Sequence, residues 1–182
     1  MKARAVGVMV LTAGVVMVAL SFVPAFGQEL EPVFGGPEDV GFAEALWTGM
    51  DGYQNWPMAS DVYVGASPHG AFLRMYYSLV SVDGVPYHVI VKDNFGGEGA
   101  TIERVTEEPG AYLMAVTVMV QREAGYDDET MNWFWVKYDG DGAVSRNDTG
   151  MKLAGRVAKG THQGCIACHA NASGEDFLFV ND

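Results

Sequence analysis

Close to its C-terminal end the chain reads Cys165-Ile166-Ala167-Cys168-His169, and these two cysteines are the only ones it has. Two thiols at this spacing can each add across one vinyl group of a haem. The histidine that follows is then carried under the ring to give the iron a nitrogen ligand. Other uses of paired cysteines fit less well. A thioredoxin-like pair opens a helix near the start of a βαβ unit, whereas this pair comes at the end of the chain. A structural zinc site needs further ligands, and no second Cys/His pair at ligand spacing is visible. The motif therefore reads as the attachment site of one covalent haem c, with Cys165 and Cys168 bonded to the porphyrin and His169 on the iron.

The N-terminus supports this independently. Lys2 and Arg4 form a short basic region, residues 5–22 carry no charge, and Pro24 precedes Ala25-Phe26-Gly27, a small-X-small cleavage pattern. Residues 1–27 read as a signal peptide and residues 28–182 as a single domain. A retained anchor is the alternative, because the apolar run is nearly long enough to span a bilayer core of about 30 Å; the proline and small residues favour cleavage. Covalent haem assembly needs reduced thiols outside the cytoplasmic membrane, so leader and motif belong together, and the bacterial periplasm is the expected location.

The chain carries 11 Lys+Arg against 23 Asp+Glu. Loss of Lys2 and Arg4 with the leader makes the balance more acidic still. Such a surface repels nucleic acid and anionic lipid, and it suits a basic redox partner protein or a small neutral or cationic ligand, besides serving solubility.

Along the chain, residues 29–36 are rich in Pro and Gly and form an irregular lead-in. Pro37-Glu38-Asp39 resembles a helix start, and Val40, Ala43, Leu46 and Trp47 recur at helical spacing, predicting an amphipathic helix over 38–50. The period then changes. Residues 71–80 and 86–92 are rich in strand formers and flank the turn Asp83-Gly84. Gly96, Gly97 and Gly99 mark a loop; residues 112–121 are apolar and β-branched; residues 132–138 form an aromatic strand ended by Asp139-Gly140-Asp141-Gly142. The expectation is a mainly β (α+β) fold of four or five strands: an antiparallel sheet with an N-terminal helix and a C-terminal haem-binding segment on a short helix or turn.

Trp56-Pro57, Ser67-Pro68-His69-Gly70, Leu73-Arg74-Met75-Tyr76, Ile90-Val91-Lys92-Asp93-Asn94-Phe95, Asn132-Trp133-Phe134-Trp135, the Cys-X-X-Cys-His motif and Asp176-Phe177, in that order, resemble the cytochrome P-460 family, which includes the cytochromes c′-beta. The resemblance runs over roughly residues 40–180. It implies a predominantly β fold, one five-coordinate haem with an open distal face, and a homodimer. It also implies chemistry with small nitrogen species, either oxidation of hydroxylamine or binding of nitric oxide.

Within that resemblance Val91-Lys92-Asp93 falls where the P-460 branch carries a lysine joined covalently to a haem meso carbon. Strand alternation puts His88, Ile90 and Lys92 on one face and Tyr87, Val89 and Val91 on the other. Lys92 can thus reach across the sheet as a neutral amine, or hold its ammonium in water at a strand end. Arg74 resembles an arginine that some members place near the distal side, where it would meet a ligand, a propionate or a surface carboxylate. Hydroxylamine-oxidising members also hold a carboxylate over the iron from the strand that here spans 112–121. Thr117 takes that position, and the strand contains no Asp or Glu. Removing protons as well as electrons calls for a base. Either Asp93, Glu98 or another acid supplies it, or the site binds ligands without turning them over.

His69, His88 and His162 are lesser candidates for a sixth ligand, His69 being read as a turn residue. Met75, Met114 and Met119 lie on strands and read as core filler. Phe72 and Phe95 are candidates to line an apolar distal pocket. Three functions follow: an enzyme oxidising a small nitrogen substrate, a gas-binding protein, or a six-coordinate electron-transfer cytochrome c with a histidine or methionine as sixth ligand.

Overall fold

The computed structural model describes residues 33–179; the expected signal peptide, residues 1–27, lies outside them. Helix α1 (Pro37–Gly49) opens with Pro at its first position and Glu38 and Asp39 in its first turn. Two short strands follow, β1 (Met58–Ala59) and β2 (Tyr63–Val64), and then a long hairpin, β3 (Phe72–Val82) and β4 (Val85–Phe95). Its two-residue turn holds Asp83 at φ 51° and Gly84 at φ 80°, the left-handed pair that matches the twist of flanking strands.

Two short helices, α2 (Ile102–Glu107) and α3 (Pro109–Tyr112), lead into β5 (Leu113–Gln121). Strands β6 (Trp133–Asp139) and β7 (Ala154–Gly155) complete the sheet, and α4 (Cys165–His169) carries the paired cysteines. The seven strands make one antiparallel sheet, ordered β1-β3-β4-β5-β6-β7, with β2 also pairing to β3. The mainly β expectation holds, with strand β4 four residues longer than expected, three of them beyond Lys92, and with β1, β2, β7, α2 and α3 added.

Alternation along the strands sorts the side chains into two faces. Tyr76, Val80, Val89, Val91, Val116, Val118, Phe134, Val136 and Tyr138 bury themselves against Ala43, Leu46 and Met50 of α1. Tyr138 Oη donates to the Ala43 carbonyl at 2.7 Å, tying helix to sheet. The opposite face carries Ile90, Met119, Trp133 and Trp135, which pack with Val157, Ile166 and Phe177. This face, under α4, holds the candidate site.

Candidate functional site

On the α4 side of the sheet lies a cavity of about 960 Å³, at the upper end of the ~300–1,000 Å³ range of small-molecule and cofactor sites. Its floor is one cross-sheet row. Met75 pairs with Lys92, Lys92 with Thr117, and Thr117 with Lys137, and all four line the cavity. Its roof is α4, which contributes Cys165, Cys168 and His169.

Helix α4 is held from both ends. It starts at Gly164, whose φ of 120° is open only to glycine and whose Cβ position would strike the Ala158 side chain. Beyond it, Trp133 Nε1 donates to the Asp176 carbonyl at 3.0 Å, and His169 Nδ1 lies 2.7 Å from the Phe177 carbonyl. A carbonyl only accepts, so Nδ1 carries the proton and Nε2 the lone pair, the tautomer a metal requires. Burial, the largest influence, holds the His169 pKa down at about 4, and nearby Lys92 acts in the same direction. The ring packs edge-on against Trp135 with centroids 4.8 Å apart. Burial also pushes the Cys165 thiol up to about 11.

Lys92 is half-buried, and burial lowers its pKa from the ordinary lysine range. Among the described residues its Nζ has no hydrogen-bond or ion-pair partner. Lys137, which the sequence reading passed over, shares that condition. The signal for it was its place on the Trp133/Trp135 face of an alternating strand.

Arg74 lies elsewhere. It occupies the α1 face, where Nε donates to the Ser60 carbonyl at 3.0 Å and the guanidinium covers the Tyr76 ring at 5.3 Å. Being one residue from Met75 on the strand, it must point away from the cavity. Asp93 points the same way, fully buried, accepting from Tyr53 Oη at 2.6 Å and Tyr76 Oη at 3.3 Å. Asp93 is thus no base for the cavity, and Glu98 is not among its lining residues. Phe72 and Phe95 do not line the cavity either; Phe95 packs wholly in the interior, and the cavity's aromatic rings are Phe34, Trp135 and Phe179. His88 is exposed and outside it. Met75, Met114 and Met119 all line it, Met114 from an exposed position rather than as core filler.

Among the described lining residues none is an Asp or Glu. Three donors in its wall, Lys92 Nζ, Lys137 Nζ and Trp135 Nε1, have no hydrogen-bond partner among the described residues, and the last of them is buried. A buried unpaired donor costs about 1–3 kcal/mol, so the cavity suits a largely apolar group bearing anionic acceptors. A haem, apolar in its ring and carrying two propionates, fits that set together with the two thiols and the free Nε2 of His169. A family model described as Cytochrome P460 matches residues 50–180. Comparison with curated proteins and with solved structures gives no match.

Proposed function

The chain belongs to the cytochrome P460 family, a family of haem-binding cytochromes, and on that premise we propose that it is a periplasmic mono-haem c-type cytochrome that takes small nitrogen ligands such as hydroxylamine or nitric oxide. One observation carries the reading. His169, its Nδ1 committed to Phe177, turns a lone pair into an apolar cavity that also receives both thiols and the unpaired Lys92. When bound, the haem supplies an iron that coordinates small molecules and exchanges electrons.

The protein's own groups do the rest. Cys165 and Cys168 would hold the porphyrin covalently, and His169 would ligate its iron. Lys92, Lys137 and Trp135 Nε1 would donate to its propionates; a cross-link from Lys92 to the porphyrin edge, as in the hydroxylamine-oxidising branch, would cost the amine and the ring carbon one hydrogen each and need an external two-electron oxidant. The absence of a carboxylate from the described cavity walls favours ligand binding over turnover. The acidic surface suits a basic redox partner, and a homodimer is expected from the family. Met75 and Met119 in the cavity wall favour a second reading, a six-coordinate electron carrier with a thioether on iron.

The ferrous spectrum tests these readings. A Soret band well to the red of an ordinary c-type haem, lost in Lys92→Ala, marks the cross-link. A high-spin ferrous haem with an ordinary spectrum that binds carbon monoxide marks the gas-binding form. Sharp low-spin bands and no carbon monoxide binding would defeat the open-site reading.

A further inference from the structure

Downstream of α4 the chain turns back on itself at Glu175-Asp176-Phe177-Leu178. Glu175 and Phe177 hold φ of 61° and 64°, a left-handed backbone that L side chains rarely adopt. Contacts with the sheet and within the turn keep it in that form. Trp133 Nε1 of β6 donates to the Asp176 carbonyl at 3.0 Å. The Leu178 N–H donates to Asp176 Oδ1 at 3.0 Å, an Asx turn closed over Phe177. The Phe177 side chain packs into the cluster of Met119, Trp133, Trp135, Val157 and Ile166.

The Phe177 carbonyl and the Leu178 N–H are two ends of one planar trans peptide, so they point in opposite directions. The Asp176 carboxylate takes the N–H, and His169 Nδ1 meets the carbonyl at 2.7 Å. The peptide is clamped from both sides, and carboxylate, peptide and imidazole stand in series. A carboxylate on the N–H polarises the peptide and strengthens its carbonyl as an acceptor. Asp176 itself is not among the residues lining the cavity.

We infer that Asp176 is a positioning residue for the iron ligand: through the Phe177–Leu178 peptide it fixes the His169 ring and draws on its Nδ1 proton, making Nε2 a stronger donor to a metal. The inference rests on the haem reading above. Resonance Raman spectroscopy of the ferrous holoprotein tests it through the iron–histidine stretch, which falls in frequency as the hydrogen bond on Nδ1 weakens. Asp176→Ala removes the acceptor and should move the band to lower frequency. Asp176→Asn keeps a neutral acceptor, and its band should lie between those of Asp176→Ala and wild type. Glu175→Gln removes a neighbouring exposed charge, leaves the Asx turn, and should keep the wild-type band. An unmoved band in Asp176→Ala would overturn the inference. So would an equal shift in Glu175→Gln, which would reduce the effect to surface charge. Where Asp176→Ala takes up no haem, the Asp176→Asn band decides in the same way. If the ferrous iron is six-coordinate, the reduction potential replaces the band: it should rise more in Asp176→Ala than in Glu175→Gln, and equal rises would overturn the inference. Haem content is measured first. A wild type without bound haem defeats the haem reading, whereas a haem-loaded series without the shift defeats only this inference.

Discussion

Replacing Asn94 by leucine tests how the cavity floor is held in place. The side chain is 4 % exposed and sits where the β4–β5 register shifts between Asn94 and Phe95. Three of its hydrogen bonds are short: to His69 Nδ1 at 2.8 Å, the Lys92 carbonyl at 2.8 Å and Thr117 Oγ1 at 3.1 Å. At roughly 1 kcal/mol net for each, Asn94→Leu should lose about 3 kcal/mol, since leucine matches the volume but bonds to none of the three. For a domain of this size 1 kcal/mol moves Tm by about 2–4 °C, so the midpoint should fall by about 6–12 °C. Thermal unfolding of the purified mature protein, followed by circular dichroism, measures it. Nitrogen NMR of His69 provides the independent readout, because the Nδ1–H tautomer should lose its preference. Ser78→Ala, which removes one hydrogen bond from an exposed hydroxyl, serves as control and should shift the midpoint by under about 2 °C. A leucine variant as stable as that control would refute the assignment of Asn94 as the clamp of the floor.

Other consequences concern the opposite face and helix α4. Burial raises the Asp93 pKa despite hydrogen bonds from Tyr53, Gln54 and Tyr76. A raised carboxyl binds more protons folded than unfolded, so its contribution to stability falls as pH climbs from the unfolded value of 3.8 through the folded one. Asp93→Asn keeps an acceptor for Tyr53 and removes the charge; its Tm should exceed wild type by a few degrees at pH 7, with the gap closing towards pH 3. A gap that widens on acidification would show the sign to be wrong. Gly164→Ala combines a disfavoured φ with a clash against Ala158, worth about 1–3 kcal/mol for the strain alone, and should cut haem incorporation severalfold. Gly150→Ala also falls at a positive φ, 84°, but with open space around its Cβ. Equal haem yields from the two variants would sink the clash argument.

The hairpin and the two central strands were legible because their residues are rich in β-branched and aromatic strand formers and Asp83-Gly84 is a strong turn dipeptide. Strand β4 runs past the expected end at Lys92 because tertiary partners override local preference. Asp93 and Asn94 are poor strand formers, yet Tyr53 satisfies one and His69 with the β5 backbone satisfies the other. Helices α2 and α3 show too little apolar periodicity to be seen, since Val105 is their one buried residue. Their start signals were nonetheless present: Thr101, whose side chain accepts from the Arg104 N–H, and Pro109 at the first position of α3. Strands of two residues leave no pattern at all.

The Cys-X-X-Cys-His motif was readable because its residues are contiguous in sequence. The cavity walls were not, because they converge from β3, β4, β5, β6 and the turn at His69. Period-two alternation placed Lys92 on the cavity face, and the same rule, applied to Arg74 against Met75, sends Arg74 to the other side. Phe95 illustrates the limit of composition. An aromatic ring near a glycine loop is as easily buried in the interior as set in a pocket wall, and only the register decides.

Covalent attachment of a tetrapyrrole through Cys165 and Cys168 is the central proposal. Its most direct measurement is the intact mass and haem content of the mature protein, produced alongside a haem-ligation system and extracted with acidified acetone. One haem per chain should remain with the polypeptide after extraction, and Cys165→Ala together with Cys168→Ala should release it. A colourless protein, or a pigment that washes out of the wild type, would contradict the account.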